Sequence, residues 1–172
     1  MKPHRGYQAL RRYRWSNPGF TYFLTLCTAN RVTGLTRDGV AAAIRNEIAA
    51  CEADGYWRVR AGVIMPEHVH LLVVLAGDLT LGRIVARLKA KTRSSLASIE
   101  GGSVRWQGNY FEHRLRPDER IEDVLRYIYL NPYRAGMVAR MERYPWSWLH
   151  PEEAAWFTAQ LDDERPYPEW LR

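Results

Sequence analysis

Cysteine is scarce in this chain: Cys27 and Cys51 are the only two among 172 residues, and they form no CxxC pair. That pattern suits a reducing compartment better than a disulfide-held fold. Long apolar runs are missing as well. Nothing approaches the roughly 20 residues of a membrane-crossing helix, and the basic N-terminus lacks the apolar core of a signal peptide. The expectation is a soluble, cytoplasmic protein with no membrane partner. Length for a second domain is also lacking, because 172 residues at 47% hydrophobic content support one well-buried core. One domain over 1–172 is expected, with a basic arm at about 1–19 and an acidic tail at about 149–172. Acids are absent in one telling place, with none between Asp78 and Glu100. The net charge of +6 suits a polyanionic partner, although proteins without one often carry as much.

The arm mixes Arg11, Arg12 and Arg14 with Tyr7, Tyr13 and Trp15. Cations interleaved with aromatics can hold phosphates and stack bases, and they equally suit a frayed terminus. Phe20 to Ala29 alternates as a first strand. A helix follows, capped by Thr36 or Asp38, with Val40, Ile44, Ile48 and Cys51 at helical spacing and Gly55 as its stop. Tyr56 to Met65 reads as a second strand with Trp57, Val59, Ala61 and Val63 on one face. Leu79 to Ile99 reads as a helix with Leu81, Ile84, Val85 and Leu88 inward and Arg83, Arg87, Lys89, Lys91 and Arg93 around the remainder. Without acids at i, i+4, those cations favour a phosphate-facing surface. A loop then gathers Arg105, Trp106 and Gln107, side chains that can stack on unpaired bases and read their edges, although Trp106 can also be a lid on the core. Phe111 to Arg116 reads as a fourth strand, and Asp118 as the cap of a helix with Ile121, Val124, Leu125 and Ile128 inward. After Val138 the pattern becomes irregular.

Strand, helix, strand, strand, helix, strand is the ferredoxin-like order. The fold expected is therefore α+β, a βαββαβ core whose antiparallel sheet carries helices on one face and leaves the other for a ligand. In the stretch Met65-Pro-Glu-His-Val-His-Leu-Leu-Val-Val-Leu75, Pro66-Glu67 turns the chain into the third strand. Side chains two apart on a strand share a face, so His68 and His70 stand side by side while Val69 points into the core. Two neighbouring neutral imidazoles are half of a metal site. On the last helix, Tyr127 and Asn131 are four residues apart and share a face, a placement least secure at Asn131 because Pro132 follows it.

Pro66-Glu67-His68-Val69-His70 resembles the His-hydrophobic-His motif of the HUH single-tyrosine transposases. Tyr127-Ile-Tyr-Leu-Asn131-Pro-Tyr-Arg134-Ala-Gly resembles one branch, the REP-associated tyrosine transposases, and Trp106-Gln107, Glu112-His113, Arg116 and Tyr144-Pro-Trp-Ser147 are similar to further family positions. The resemblance runs in order from about Tyr22 to Trp148. It implies the ferredoxin-like core and single-stranded DNA folded as palindromic hairpins as substrate. It also implies Asn131 as a third metal ligand beside His68 and His70, and a monomer in this branch, although related transposases can be dimers.

Tyrosine has a reference pKa of about 10, so a site must help it attack. A divalent ion of the Mg or Mn class on the histidines would offset charge as Tyr127 attacks a phosphodiester, giving a 5′-phosphotyrosine link and a free 3′-hydroxyl. Tyr129 is the competing nucleophile, and Glu67 and Glu112 are other candidate oxygen ligands. His113 and Arg116 are weaker site candidates, and Arg134 is read as a DNA contact. Two other functions stay open: a metal-dependent nuclease using water, and a non-catalytic nucleic-acid-binding module. Against the latter, the chain shows no RNP-type aromatic strand motif.

Overall fold

The structure is a computed structural model that describes residues 17–99, 104–139 and 142–157. Five strands form one sheet: β1 (Thr21–Cys27), β2 (Trp57–Ile64), β3 (His68–Leu75), β4 (Phe111–Arg114) and β5 (Ser147–Leu149), in the order β4-β1-β3-β2-β5. Every neighbouring pair is antiparallel. The first four strands with helices α1 (Asp38–Ala53) and α2 (Leu81–Ala97) make the expected βαββαβ core. A longer helix, α3 (Ile121–Arg134), and a single turn, α4 (Pro151–Ala154), follow.

Alternation along the central strands divides the apolar residues between two layers. Leu24, Leu26, Val69, Leu71 and Val73 pack under α1 and α2, with Ile44, Ile48, Ile84 and Leu88. On the opposite face, Phe23, Val63 and Leu72 pack against Val124, Leu125 and Ile128 of α3. The two core helices therefore occupy one face, and the third helix covers part of the other. That placement delivers Tyr127 to the histidine face.

The sequence expectation for β2 holds for only half its length. Trp57 and Val59 face α1 and α2, but Ala61 and Val63 face α3. The cause is a bulge at Arg60: Val59 pairs with Val73 and Ala61 with Leu72, so one extra residue reverses the alternation. Helix caps also differ from expectation. Arg37 and Arg120 occupy the N-cap positions of α1 and α3 without side-chain caps, so neither Thr36, Asp38 nor Asp118 serves there.

Part of the expected acidic tail is built into the fold. Leu149 belongs to β5, and Glu152 and Glu153 of α4 pair with Arg58 and Arg60 on β2. Glu153 is 2% exposed, so its ion pair with Arg60 ties this segment to the sheet edge. Trp148 lies over Gly62, where any Cβ would collide with the indole. Arg11, Arg12 and Arg14 of the arm lie outside the described residues. Among the described residues no helix is long and apolar enough to cross a membrane.

Candidate active site

His68 and His70 open β3 opposite Cys27 and Thr25 of β1. Period-two geometry puts both rings on the α3 face, with centroids 4.5 Å apart. Both are buried, at 9% and 5% exposure. Burial is the main force lowering the His68 pKa, opposed by its hydrogen bond to Glu67. Burial also holds His70 well below the ordinary imidazole value, and neighbouring His68 adds to that effect. Both rings are therefore neutral near pH 7, the form that can ligate a metal.

Each ring is held at Nδ1. His68 Nδ1 lies 2.8 Å from Glu67 Oε1. A carboxylate only accepts, so the proton of neutral His68 resides on Nδ1 and the lone pair on Nε2. His70 Nδ1 lies 2.9 Å from Thr25 Oγ1. Carboxylate and hydroxyl partners of this kind orient metal-binding histidines. Thr25 cannot be singled out from the sequence, because only strand register sets it opposite His70.

Tyr127 reaches the pair from α3. Its ring centroid is 5.3 Å from that of His70 and 5.9 Å from that of Phe23, both edge-on, while Phe23 stacks on His70 at 5.2 Å. Tyr129 is directed elsewhere: it stacks on Tyr133 at 5.7 Å and meets Phe157 at 6.0 Å. Helix α3 runs unbroken through Pro132, so Tyr127 and Asn131 share a face. Gly136, at φ +67°, ends it, with Gly136 N–H donating to Tyr133 O and Met137 N–H to Pro132 O. Arg134 is exposed in the last turn.

Among the described residues no three His, Cys, Asp or Glu side chains group as a metal cage. Glu67 and Glu112 therefore do not complete a three-residue set with the histidines. Glu67 instead backs His68, and the remaining protein oxygen of the expected set is the Asn131 amide. Two adjacent neutral imidazoles, oriented at Nδ1, are donors of the kind that fits a divalent ion. His113 is engaged at the sheet edge, its Nε2 2.9 Å from Glu119, whose carboxylate also accepts from Arg116 N–H.

The expected DNA-contacting residues of α2 and of the loop before β4 fall into three groups. Arg83 and Lys91 are exposed on α2, across the sheet from the histidines. Arg87 is bound by Glu47 of α1 and by Asp54, which caps the end of that helix, at 2.8 and 2.6 Å, so its charge is matched within the protein. The carboxylates absent from its own helix come from the neighbouring one. The loop bearing Arg105, Trp106 and Gln107 is fastened to the end of β1, with Ala29 N–H donating to Arg105 O and Gln107 N–H to Cys27 O. Trp106 packs on the core and donates Nε1–H to Thr92 Oγ1 at 2.9 Å, while Arg105 and Gln107 remain exposed. Lys89 Nζ holds the loop by donating to the carbonyls of Gln107 and Asn109.

Comparison with known proteins places these features in a family context. Residues 17–131 match the family model described as "Transposase IS200 like". A REP-associated tyrosine transposase of Escherichia coli is 27% identical over 144 residues, covering 82% of this chain and 83% of that protein. A solved structure of a REP-associated tyrosine transposase bound to a REP hairpin superposes with a TM-score of 0.64 at 25% identity. That match spans 86% of this chain and 82% of the other.

Proposed function

Because this chain belongs to the IS200-like transposase family, an enzyme family, we propose that it cleaves and rejoins single-stranded DNA at hairpin-forming, REP-like palindromic repeats, with Tyr127 as nucleophile. The observation carrying this reading is the contact of Tyr127 with His70, 5.3 Å between ring centroids, beside His68. Tyr129, stacked on Tyr133, is turned from that pair. The relatives named for REP elements supply the substrate class.

His68, His70 and the Asn131 carboxamide would hold a divalent ion of the Mg or Mn class. When bound, the ion supplies charge neutralisation at the phosphodiester oxygens. The residues do the rest. Glu67 and Thr25 fix the imidazoles, Phe23 and His70 wall the Tyr127 ring, and α3 sets the direction from which its hydroxyl approaches. Tyr127 Oη forms a bond to phosphorus as the P–O3′ bond breaks, and the leaving oxygen takes up a proton as a 3′-hydroxyl. The phosphotyrosine keeps a phosphodiester bond, so a later 3′-hydroxyl can reverse the step without an external energy source. Arg105, Gln107 and Arg134 contact DNA in this reading, and Arg83 and Lys91 offer a phosphate surface farther away. Since Tyr127 reaches His70 within one chain, a single protomer can carry the site, and we take the protein to act as a monomer in the cytoplasm.

The test is incubation of purified protein with end-labelled hairpin DNA from repeats near its gene, with and without Mn²⁺, resolved on a denaturing gel. Label migrating with protein, dependent on metal, lost in Tyr127→Phe and kept in Tyr129→Phe, is the expected result. Cleavage that survives Tyr127→Phe would replace this mechanism with hydrolysis by water.

A further inference from the structure

Lys89 on α2 donates from Nζ to three consecutive main-chain carbonyls of the loop before β4: Gln107 O at 2.7 Å, Gly108 O at 3.5 Å and Asn109 O at 3.0 Å. An ammonium is a compact charge with three donors, so it matches three converging acceptors. The Tyr110 ring centroid lies 5.7 Å from the same Nζ. One turn farther along α2, Thr92 Oγ1 accepts from Trp106 Nε1, and two turns before Lys89 the Tyr110 hydroxyl rests beside Gly82. This edge of α2 is the bed on which residues 106–110 lie.

The loop depends on that bed in one interval. Its bonds to β1 run through Gln107 N–H, which donates to Cys27 O, and β4 pairs with β1 from Phe111 onward. Between these points Gln107, Gly108 and Asn109 are exposed, and a Cβ on Gly108 would meet nothing within 4 Å. An exposed segment with a glycine has much conformational freedom to lose. Its carbonyl oxygens also carry partial negative charge, and left outward they would oppose a phosphate. Lys89 draws them toward α2 and neutralises them, while the Gln107 and Asn109 side chains stay at the surface.

We propose that Lys89 is a positioning residue for DNA binding. Its ammonium holds residues 107–109 curled around it, so that the loop offers Arg105 and Gln107 to the strand rather than its own carbonyl oxygens. The proposal rests on the DNA-contacting role given to this loop above. It also parts Lys89 from Arg83 and Lys91, because its charge acts on the loop and not on a phosphate.

The experiment uses the full chain carrying Tyr127→Phe, so that DNA stays intact, and takes two readings. One is hydrogen exchange of the segment 105–112 without DNA, and the other is hairpin affinity by fluorescence anisotropy over a range of salt. Lys89→Met keeps the apolar stem on α2 and removes the charge. It should speed exchange in the segment and weaken hairpin binding about tenfold, as the loss of a charge-assisted hydrogen bond does. The slope of log K against log salt should stay as it was. Arg105→Ala, which removes a phosphate contact, should instead lower that slope by roughly one. Lys89→Ala opens a space at the carbonyls, so propylammonium chloride should restore both loop protection and affinity. Tetramethylammonium chloride, a cation without an N–H donor, should restore neither. Loop exchange unchanged in Lys89→Met overturns the proposal, as does a loosened loop with undiminished affinity. A slope lowered by one in Lys89→Met overturns it too, by making Lys89 a phosphate contact. Absence of hairpin binding by the chain with Lys89 intact would sink the DNA reading and this role with it, whereas equal, tight binding with and without the ammonium would overturn this role alone.

Discussion

The ring of Tyr127 meets the ring of His70 edge-on at 5.3 Å, although 57 positions separate the two residues in the chain. The contact depends on the two sides of the sheet being used differently. Helices α1 and α2 bury one face, and α3 covers part of the other, so a tyrosine on α3 is brought to histidines on β3. Phe23 braces both rings from β1.

The partners at the histidine Nδ1 atoms give the first prediction. Thr25→Val and Glu67→Ala each remove a polar group that fixes an imidazole. Each should weaken Mn²⁺ binding about tenfold or more, the usual effect of losing a ligand's outer partner. Isothermal titration with Mn²⁺ reads this without any DNA. Unchanged affinity in both variants would remove Thr25 and Glu67 from the metal site.

Gly62 tests the docking of β5. A Cβ at this position would overlap the six-membered ring of Trp148, and Arg45 lies over that indole, 3.7 Å from its centroid. Gly62→Ala should therefore cost about 1–3 kcal/mol through overpacking, seen as a fall of several degrees in Tm. In a Trp148→Ala background the same change should cost little. Equal losses in the two backgrounds would show that the indole is not the obstacle.

The parts of the site legible in the sequence are those set by local periodicity. His68 and His70 share a face because a strand repeats every two residues, and Tyr127 and Asn131 because a helix brings i and i+4 together. What escaped was set by distant partners. Arg60 bulges and reverses Ala61 and Val63, but a bulge leaves no mark in an apolar pattern that is buried on both faces. Arg87 is neutralised by Glu47 and Asp54 from a different helix, which no i, i+4 rule detects. Strand β5 has three residues, too few to show an alternation. Trp106 donates to Thr92, so the indole that suggested base stacking is tied into the core by its nitrogen.

Alkaline stability provides a prediction with a definite sign. Burial pushes the Cys51 thiol up from 9.0 to about 11 and the Tyr144 phenol up from 10.0 to about 12. Cys51 is fully buried, and Tyr144 donates its O–H to Ile64 O at 2.8 Å. Raised folded-state values mean that the neutral forms favour the fold. Their contribution is complete below the unfolded-state values and is lost as pH rises, from 9 to about 11 for Cys51 and from 10 to about 12 for Tyr144. The urea midpoint should fall through this range, and Cys51→Ala with Tyr144→Phe should flatten the fall. A decline of equal steepness in the double variant would assign it to other groups.

The cations of α2 can be separated by the salt dependence of DNA binding. Arg83 and Lys91 are exposed, whereas Arg87 is shared between Glu47 and Asp54. A side chain that neutralises a phosphate releases a counterion, and its loss lowers the slope of log K against log salt by roughly one. Arg83→Ala and Lys91→Ala should each flatten that slope for a hairpin probe if α2 lies along the DNA, with little change in Tm. Arg87→Ala should leave the slope as it was. It should instead lower Tm, because it leaves Glu47 and Asp54 without their shared cation and cuts a tie between the two helices. The opposite result, a flatter slope with unchanged Tm in Arg87→Ala, would mean that Arg87 exchanges its acids for phosphate when DNA arrives. Unchanged slopes in all three variants would remove α2 from the DNA path.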